Sequence, residues 1–97
     1  MKHPDEALLF IKKTLRTHLP DPSYRFFLFG SRVTGYARRF SDFDIGIEGE
    51  TPVSPNTMGV IKEELEESNL PYKVDIVDFS TVDPEFRNLA LKHTQYL

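Results

Sequence analysis

The chain has 97 residues, of which 39% are hydrophobic and 28% charged, and it carries a formal net charge of −3. A chain this short supports one hydrophobic core, so we expect a single domain over residues 1–97 and exclude a multidomain enzyme. It contains no cysteine, which excludes a disulfide framework, a thiol nucleophile and a cysteine-ligated zinc site. The negative charge argues against a protein whose main activity is binding long nucleic acids through their phosphates.

The hydrophobic residues are spread along the chain without a long apolar run. No stretch approaches the roughly 20 apolar residues that are needed to span a bilayer. The first residues are not followed by the uninterrupted apolar segment of a secretory signal peptide. We therefore expect a cytoplasmic protein that does not interact with membranes.

The first predicted element is an amphipathic helix from Pro4 to Leu19. Leu8, Ile11 and Leu15 recur at three- and four-residue spacing, and basic residues occupy the other side. Pro4 suits the first helical turn, and Pro20 helps to end the helix.

Two strands are predicted next. Tyr24 to Phe29 is an almost unbroken apolar run that ends at Gly30, which is typical of a central strand buried on both faces. After a turn and up to two helical turns, Phe43 to Glu48 alternates between apolar and other residues. This alternation places the apolar side chains toward a core and Asp44 on the opposite face.

The second half of the chain repeats the pattern of helix, strand and helix. The predicted elements are a helix that starts at Ser54-Pro55 with Met58, Ile61, Leu65 and Ser68 on one side, a strand from Tyr72 to Phe79, and a helix from Asp83-Pro84 to His93. Strands that are separated by helices indicate an α/β or α+β fold. We expect a small mixed sheet flanked by helices, in the order α-β-α-β-α-β-α.

The candidate functional residues lie between the end of the first predicted strand and the start of the second. Gly30 lets the chain turn without a Cβ, and the Ser31 hydroxyl with nearby backbone N–H groups suits phosphate oxygens. Asp42 and Asp44 are two residues apart at the start of a strand, so their carboxylates project to the same face. Paired carboxylates of this kind suit Mg²⁺, which prefers oxygen ligands.

Each part of this pattern has an ordinary structural explanation when it stands alone. A Gly-Ser pair is usually a turn, and an Asp-x-Asp is more often surface polarity than a metal site. The two parts occur together here, directly after a core strand, and Asp44 interrupts an apolar strand where a carboxylate needs a compensating partner. The combination favours a functional site.

The spacing of these residues resembles the signature of a known superfamily. Gly30-Ser31, Gly35 and Ser41-Asp42-Phe43-Asp44 follow the pattern G-S-x-x-x-G-x5-S-D-x-D. This resembles the DNA polymerase beta-like nucleotidyltransferases, and the chain length is similar to that of their minimal nucleotidyltransferase (MNT) branch. The resemblance covers the chain from about Tyr24 to Phe79. It implies that Gly30 and Ser31 hold a nucleoside triphosphate, and that Asp42 and Asp44 bind two Mg²⁺ ions.

The resemblance also implies a third carboxylate on a later strand, and Asp75 is the candidate. Asp75 lies within an apolar strand pattern between Val74 and Ile76, so like Asp44 it interrupts apolar surroundings. Asp78 is the competitor. We interpret Asp78 as a strand-end or turn residue, because its parity places it on the face of Val74 and Ile76.

The implied reaction is in-line attack by a hydroxyl on the α-phosphate of a nucleoside triphosphate, with pyrophosphate as the leaving group. Asp75 is the candidate to accept the proton of the hydroxyl. Arg32 is a candidate to neutralise triphosphate charge, and an exposed arginine at a helix start is an equal alternative. Arg38 and Arg39 are interpreted as an exposed basic loop, and Tyr36 as packed on the sheet rather than stacked on a base.

The acceptor has to come from outside so short a chain. Resemblance to the MNT branch implies that it is a tyrosine hydroxyl of a helical HEPN-domain ribonuclease toxin, which receives AMP from ATP and is thereby neutralised. ATP is the expected donor, although no residue can be tied to a base edge. One alternative is a non-catalytic module that neutralises a partner by contact, and another is a transferase for a small hydroxylated molecule.

Overall fold

A computed structural model of the protein describes residues 4–35 and 42–97. In this part of the chain, helices and strands alternate as predicted, and a short fourth strand follows the last helix. The elements are α1 (Pro4–His18), β1 (Arg25–Phe29), α2 (Ser31–Thr34), β2 (Phe43–Glu48), α3 (Pro55–Glu67), β3 (Val74–Asp78), α4 (Pro84–Ala90) and β4 (Gln95–Tyr96).

The four strands form one mixed sheet in the order β3-β2-β1-β4. β1 is antiparallel to both β2 and β4, whereas β2 and β3 are parallel. The predicted mixed sheet is therefore confirmed, and β1 is an inner strand, as its unbroken apolar sequence indicates.

The larger core lies between one face of the sheet and the helices α1 and α3. Ile11 of α1, Ile61 of α3 and Ile45 of β2 are fully buried in it. The apolar spacing of each helix turns one stripe toward the sheet, while its charged side stays in water. None of the helices in residues 4–35 and 42–97 is long and apolar enough to cross a membrane.

The other face of the sheet carries a smaller, aromatic core. The ring of Phe27 lies 4.8 Å from that of Phe79 and 6.0 Å from that of Phe29. Phe27 also lies against Gly46 on β2, where a Cβ would overlap its ring. Ala90, at the end of α4, packs on this cluster. The aromatic core covers only part of this face, next to the carboxylates described below.

The chain after α4 differs from the prediction. α4 ends at Ala90 rather than at His93, and residues Gln95–Tyr96 add the strand β4 to the edge of β1. The Leu97 N–H donates to the Phe26 carbonyl at 2.9 Å. A two-residue strand is too short to show the alternation that predicts strands, and it forms because β1 offers an open edge.

We expect the aromatic core to contribute much of the stability of the fold. Phe27 is fully buried, so Phe27→Ala should lower the free energy of unfolding by about 3–5 kcal/mol, through lost burial and the cavity left behind. Urea denaturation measures this loss. Leu9→Ala is the control, because Leu9 is 62% exposed and its change should stay within about 0.5 kcal/mol. Similar losses for the two variants would contradict this account of the core.

Candidate active site

The site begins at the turn after β1, where Gly30 meets Asp44. Gly30 has φ 79° and ψ −153°, a conformation that side chains disfavour strongly. A Cβ at Gly30 would overlap the carboxylate of Asp44. The Gly30 carbonyl accepts hydrogen bonds from the N–H groups of Val33 and Thr34, at 3.1 and 3.2 Å, and so starts α2. Glycine is therefore required here both by the turn and by the close approach to the carboxylate.

Sheet pairing places Asp44 and Asp75 side by side. The two residues are directly opposite each other on the parallel strands β2 and β3, and opposed residues project to the same face of a sheet. Phe29 is directly opposite Asp44 on β1, so one row across three strands reads Phe29, Asp44, Asp75. Asp42 is exposed and lies immediately before β2.

The carboxylate of Asp44 is influenced electrostatically by those of Asp75 and Asp42. Burial of its side chain raises the pKa of Asp44, and the negative charges of Asp75 and Asp42 raise it further. Lys73 opposes this effect, and its Nζ lies 4.0 Å from Oδ1 of Asp75. A concentration of negative charge therefore sits beside the Gly30 turn.

Asp78 lies away from this group, as its parity predicts. It is directly opposite Ile47 of β2, which places it on the face that packs against α1 and α3. Its Oδ2 accepts a hydrogen bond from the Val53 N–H at 2.8 Å, and its Oδ1 accepts from the N–H and hydroxyl of Ser80. Asp78 therefore holds the turn after β3, and the interpretation of it as a turn residue is confirmed.

The basic and aromatic candidates are only partly described. The guanidinium of Arg32 lies 4.0 Å from the ring centre of Phe43, the first residue of β2, and 5.0 Å from that of Tyr72, which precedes β3. It therefore stacks on aromatic rings. Ser31 is the first residue of α2 and is half-buried. Four further residues of the predicted pattern, Tyr36, Arg38, Arg39 and Ser41, lie outside the described residues.

Two features of the site are absent from the sequence prediction. One is Lys73, which precedes Asp75 by two residues and so shares its side of β3, a spacing that could have identified it. The other is a cavity of about 320 Å³ between α3 and β3, for which no local sequence pattern exists. Its lining comprises Lys62, Leu65, Glu66, Lys73, Val74, Asp75 and Ile76.

This arrangement agrees with a comparison with known families. Residues 11–97 match the family described as polymerase beta, nucleotidyltransferase. The chain belongs to the polymerase beta nucleotidyltransferase family. It is 38% identical over 87 residues to the probable protein adenylyltransferase MntA of Haemophilus influenzae, across 90% of this chain and 75% of that relative. The predicted superfamily and enzyme class, a nucleotidyltransferase, are confirmed.

Solved structures share the fold of this nucleotidyltransferase. A toxin–antitoxin complex with AMP-PNP matches with a TM-score of 0.72 and 22% identity, over 97% of this chain and 72% of that chain. A tri-AMPylated Shewanella oneidensis HEPN toxin in complex with MNT antitoxin matches with a TM-score of 0.70 and 20% identity, over 95% and 69%. The minimal nucleotidyltransferase fold is therefore confirmed.

The carboxylates suit a divalent cation, which nucleotidyltransferases generally need. Their oxygens are the ligands that Mg²⁺ prefers, and Asp44 has an elevated pKa that a nearby positive charge would lower. In the part of the chain that the structure describes, no three His, Cys, Asp or Glu side chains are gathered closely enough to hold an ion. The donor chemistry thus fits a cation, while the three carboxylates do not converge on one point.

Replacing Gly30 should be more harmful than replacing Gly35. Gly30→Ala loses about 1–3 kcal/mol of stability through backbone strain alone, and the new Cβ also displaces the carboxylate of Asp44. Gly35 has φ 87°, but a Cβ there would meet no atom within 4 Å. Gly35→Ala should therefore lose stability through backbone strain alone. Urea denaturation and nucleotidyl transfer should both show the larger loss for Gly30→Ala. Equal losses for both variants would contradict the contact between Gly30 and Asp44.

Asp44→Asn should stabilise the metal-free protein at neutral pH. Because the fold raises the pKa of Asp44, the folded state binds this proton more tightly than the unfolded chain does. Stability therefore falls as pH rises from the unfolded carboxyl range through the raised pKa, and the amide removes that loss. Thermal unfolding in EDTA from acidic to neutral pH measures the effect.

Asp21→Asn is the control for this experiment, because the fold shifts the pKa of Asp21 in the opposite direction. Hydrogen bonds from Ser23 lower the pKa of Asp21, so its contribution is present above the unfolded pKa and is lost as pH falls through the lowered value. Asp21→Asn should therefore give no stabilisation at neutral pH. A fall in the melting temperature of Asp44→Asn would show that the Asp44 charge is already compensated.

Proposed function

We propose that this protein transfers AMP from ATP to a tyrosine hydroxyl of a HEPN-domain toxin and thereby acts as its antitoxin. The observation that carries the proposal is the alignment of Asp44 with Asp75 on one sheet face, beside the Gly30 turn. Support for the acceptor comes from the relatives, which include a probable protein adenylyltransferase and an MNT antitoxin in complex with a tri-AMPylated HEPN toxin.

In this proposal the carboxylates bind the metal ions and the Gly30 turn binds the triphosphate of ATP. Asp42, Asp44 and Asp75 would hold two Mg²⁺ ions, and Gly30 with Ser31 would receive the triphosphate at the start of α2. The ions would supply positive charge for the phosphates and for the attacking and leaving oxygens. Arg32, the residue after Ser31, would contribute positive charge at the start of α2.

We propose that Asp75 accepts the proton of the acceptor hydroxyl. As the tyrosine oxygen bonds to the α-phosphorus, the bond from that phosphorus to the pyrophosphate oxygen breaks, and Asp75 accepts the hydroxyl proton. Its side chain is 46% exposed, so a partner can reach it. The acceptor hydroxyl would approach from the face of the sheet on which Asp75 is directly opposite Asp44.

We also propose that the reaction takes place in the cytoplasm. ATP is abundant there, and a chain without cysteine gains nothing from an oxidising compartment. A partner toxin that cleaves RNA would be neutralised where its substrate occurs.

Transfer of label from ATP tests the reaction directly. The protein and the product of its neighbouring gene are incubated with Mg²⁺ and ATP labelled at the α-phosphate, and the partner is then analysed for label. We expect label with the wild type and its loss, by at least about 100-fold, with Asp42→Asn and Asp44→Asn. The absence of label with every nucleotide, together with unimpaired partner binding by both variants, would show a non-catalytic module that acts by contact.

The roles of Asp75 and Asp78 are separated by a matched pair of variants. Asp75→Asn should abolish transfer while ATP binding survives, because it removes the proton acceptor. Asp78→Asn should retain transfer, because this residue faces the other side of the sheet and its hydrogen bonds hold a turn. The reverse result would mean that Asp78 is the third carboxylate of the site.

A further inference from the structure

Two apolar side chains on α4 remain exposed near the carboxylates. Phe86 is 42% exposed and Leu89 is 67% exposed, and residues three apart on a helix lie on the same side. Exposing a large apolar side chain forgoes the favourable free energy of burial. The other large hydrophobic residues exposed in the described part of the chain are Leu9, Val60 and Tyr96.

The ring of Phe86 packs against two rings of the aromatic core. It makes an edge contact with Phe29 at 6.2 Å and 83°, and a tilted contact with Phe79 at 5.8 Å and 37°. Both supporting rings are buried. Phe86 is therefore held in place by packing, while part of its surface remains open to solvent.

Phe86 is also next to the row of carboxylates. Phe86 packs on Phe29, which is directly opposite Asp44. Phe86 therefore covers the sheet face on which the Asp44 side chain lies. Tyr96, the other exposed aromatic residue in the described part of the chain, is less available for contact with a ligand. Its hydroxyl donates to Glu48 at 2.8 Å, and the guanidinium of Arg25 lies 4.2 Å from its ring centre.

We propose that the ring of Phe86, with Leu89 beside it, is the platform on which the base of the bound nucleotide stacks. The inference rests on the proposed function, which places the phosphates at Asp44 and the Gly30 turn. The base has to lie one ribose away from those phosphates, and Phe86 packs on Phe29, the residue directly opposite Asp44. Because every nucleobase has a π-face, such a platform favours nucleotides over bare phosphates without selecting one base strongly.

Calorimetry with two ligands tests the platform. ATP and inorganic tripolyphosphate are titrated, with Mg²⁺, into the wild type, Phe86→Ala and Phe86→Trp. Loss of stacking should weaken ATP binding by Phe86→Ala roughly 5- to 100-fold, whereas tripolyphosphate binding stays unchanged. Phe86→Trp should bind ATP at least as well as the wild type. Val60→Ala is the control, since Val60 is 44% exposed on α3 and should leave both affinities unchanged.

Three outcomes would overturn the platform. Unchanged ATP affinity of Phe86→Ala would do so, and so would equal losses for ATP and tripolyphosphate, which indicate support of the fold only. Weaker partner binding with unchanged ATP binding would assign Phe86 to a protein interface instead. ATP binding that depends on Phe86 in a protein that transfers no label would support the platform and overturn the proposed reaction.

Discussion

A partly buried carboxylate beside an aromatic core is the constraint on which the rest of this structure depends. Asp44 lies between Phe29 and Asp75 in one row of the sheet, and burial together with neighbouring negative charge raises its pKa. The fold has to tolerate this charge, and only glycine at position 30 lets the backbone turn beside it. The negative charge at Asp44 lowers the stability of the fold locally, and a bound cation would compensate that charge.

The two faces of the sheet are accordingly used in different ways. On one face, α1 and α3 cover a continuous, mainly aliphatic core that includes Ile45 and Ile61. On the other, the rings packed around Phe27 and Phe79 cover only part of the surface, and the carboxylates occupy the remainder. The first face supplies rigidity, and the second combines a smaller core with a site that a ligand can reach. Preorganised ligands of this kind are more precise on strands than on loops.

Much of the fold was predictable because its signals are local. The Ser54 cap of α3, the apolar spacing of α1 and α3 and the alternation in β2 each reflect the few residues that form the element. The strand β4 was not predictable, since its two residues form a strand only because β1 offers an open edge. Elements that depend on a distant partner carry no local signal.

The sequence by itself identified the residues that we propose to carry the chemistry. The spacing of Gly30, Asp42 and Asp44 and the parity of Asp75 depend on the chain alone, because turns and strand faces follow from local geometry. Only the tertiary structure decided that Asp75 lies directly opposite Asp44, and that Phe86 packs beside them on Phe29. Strand register and the placement of a helix on a sheet are set by packing between residues far apart in the chain.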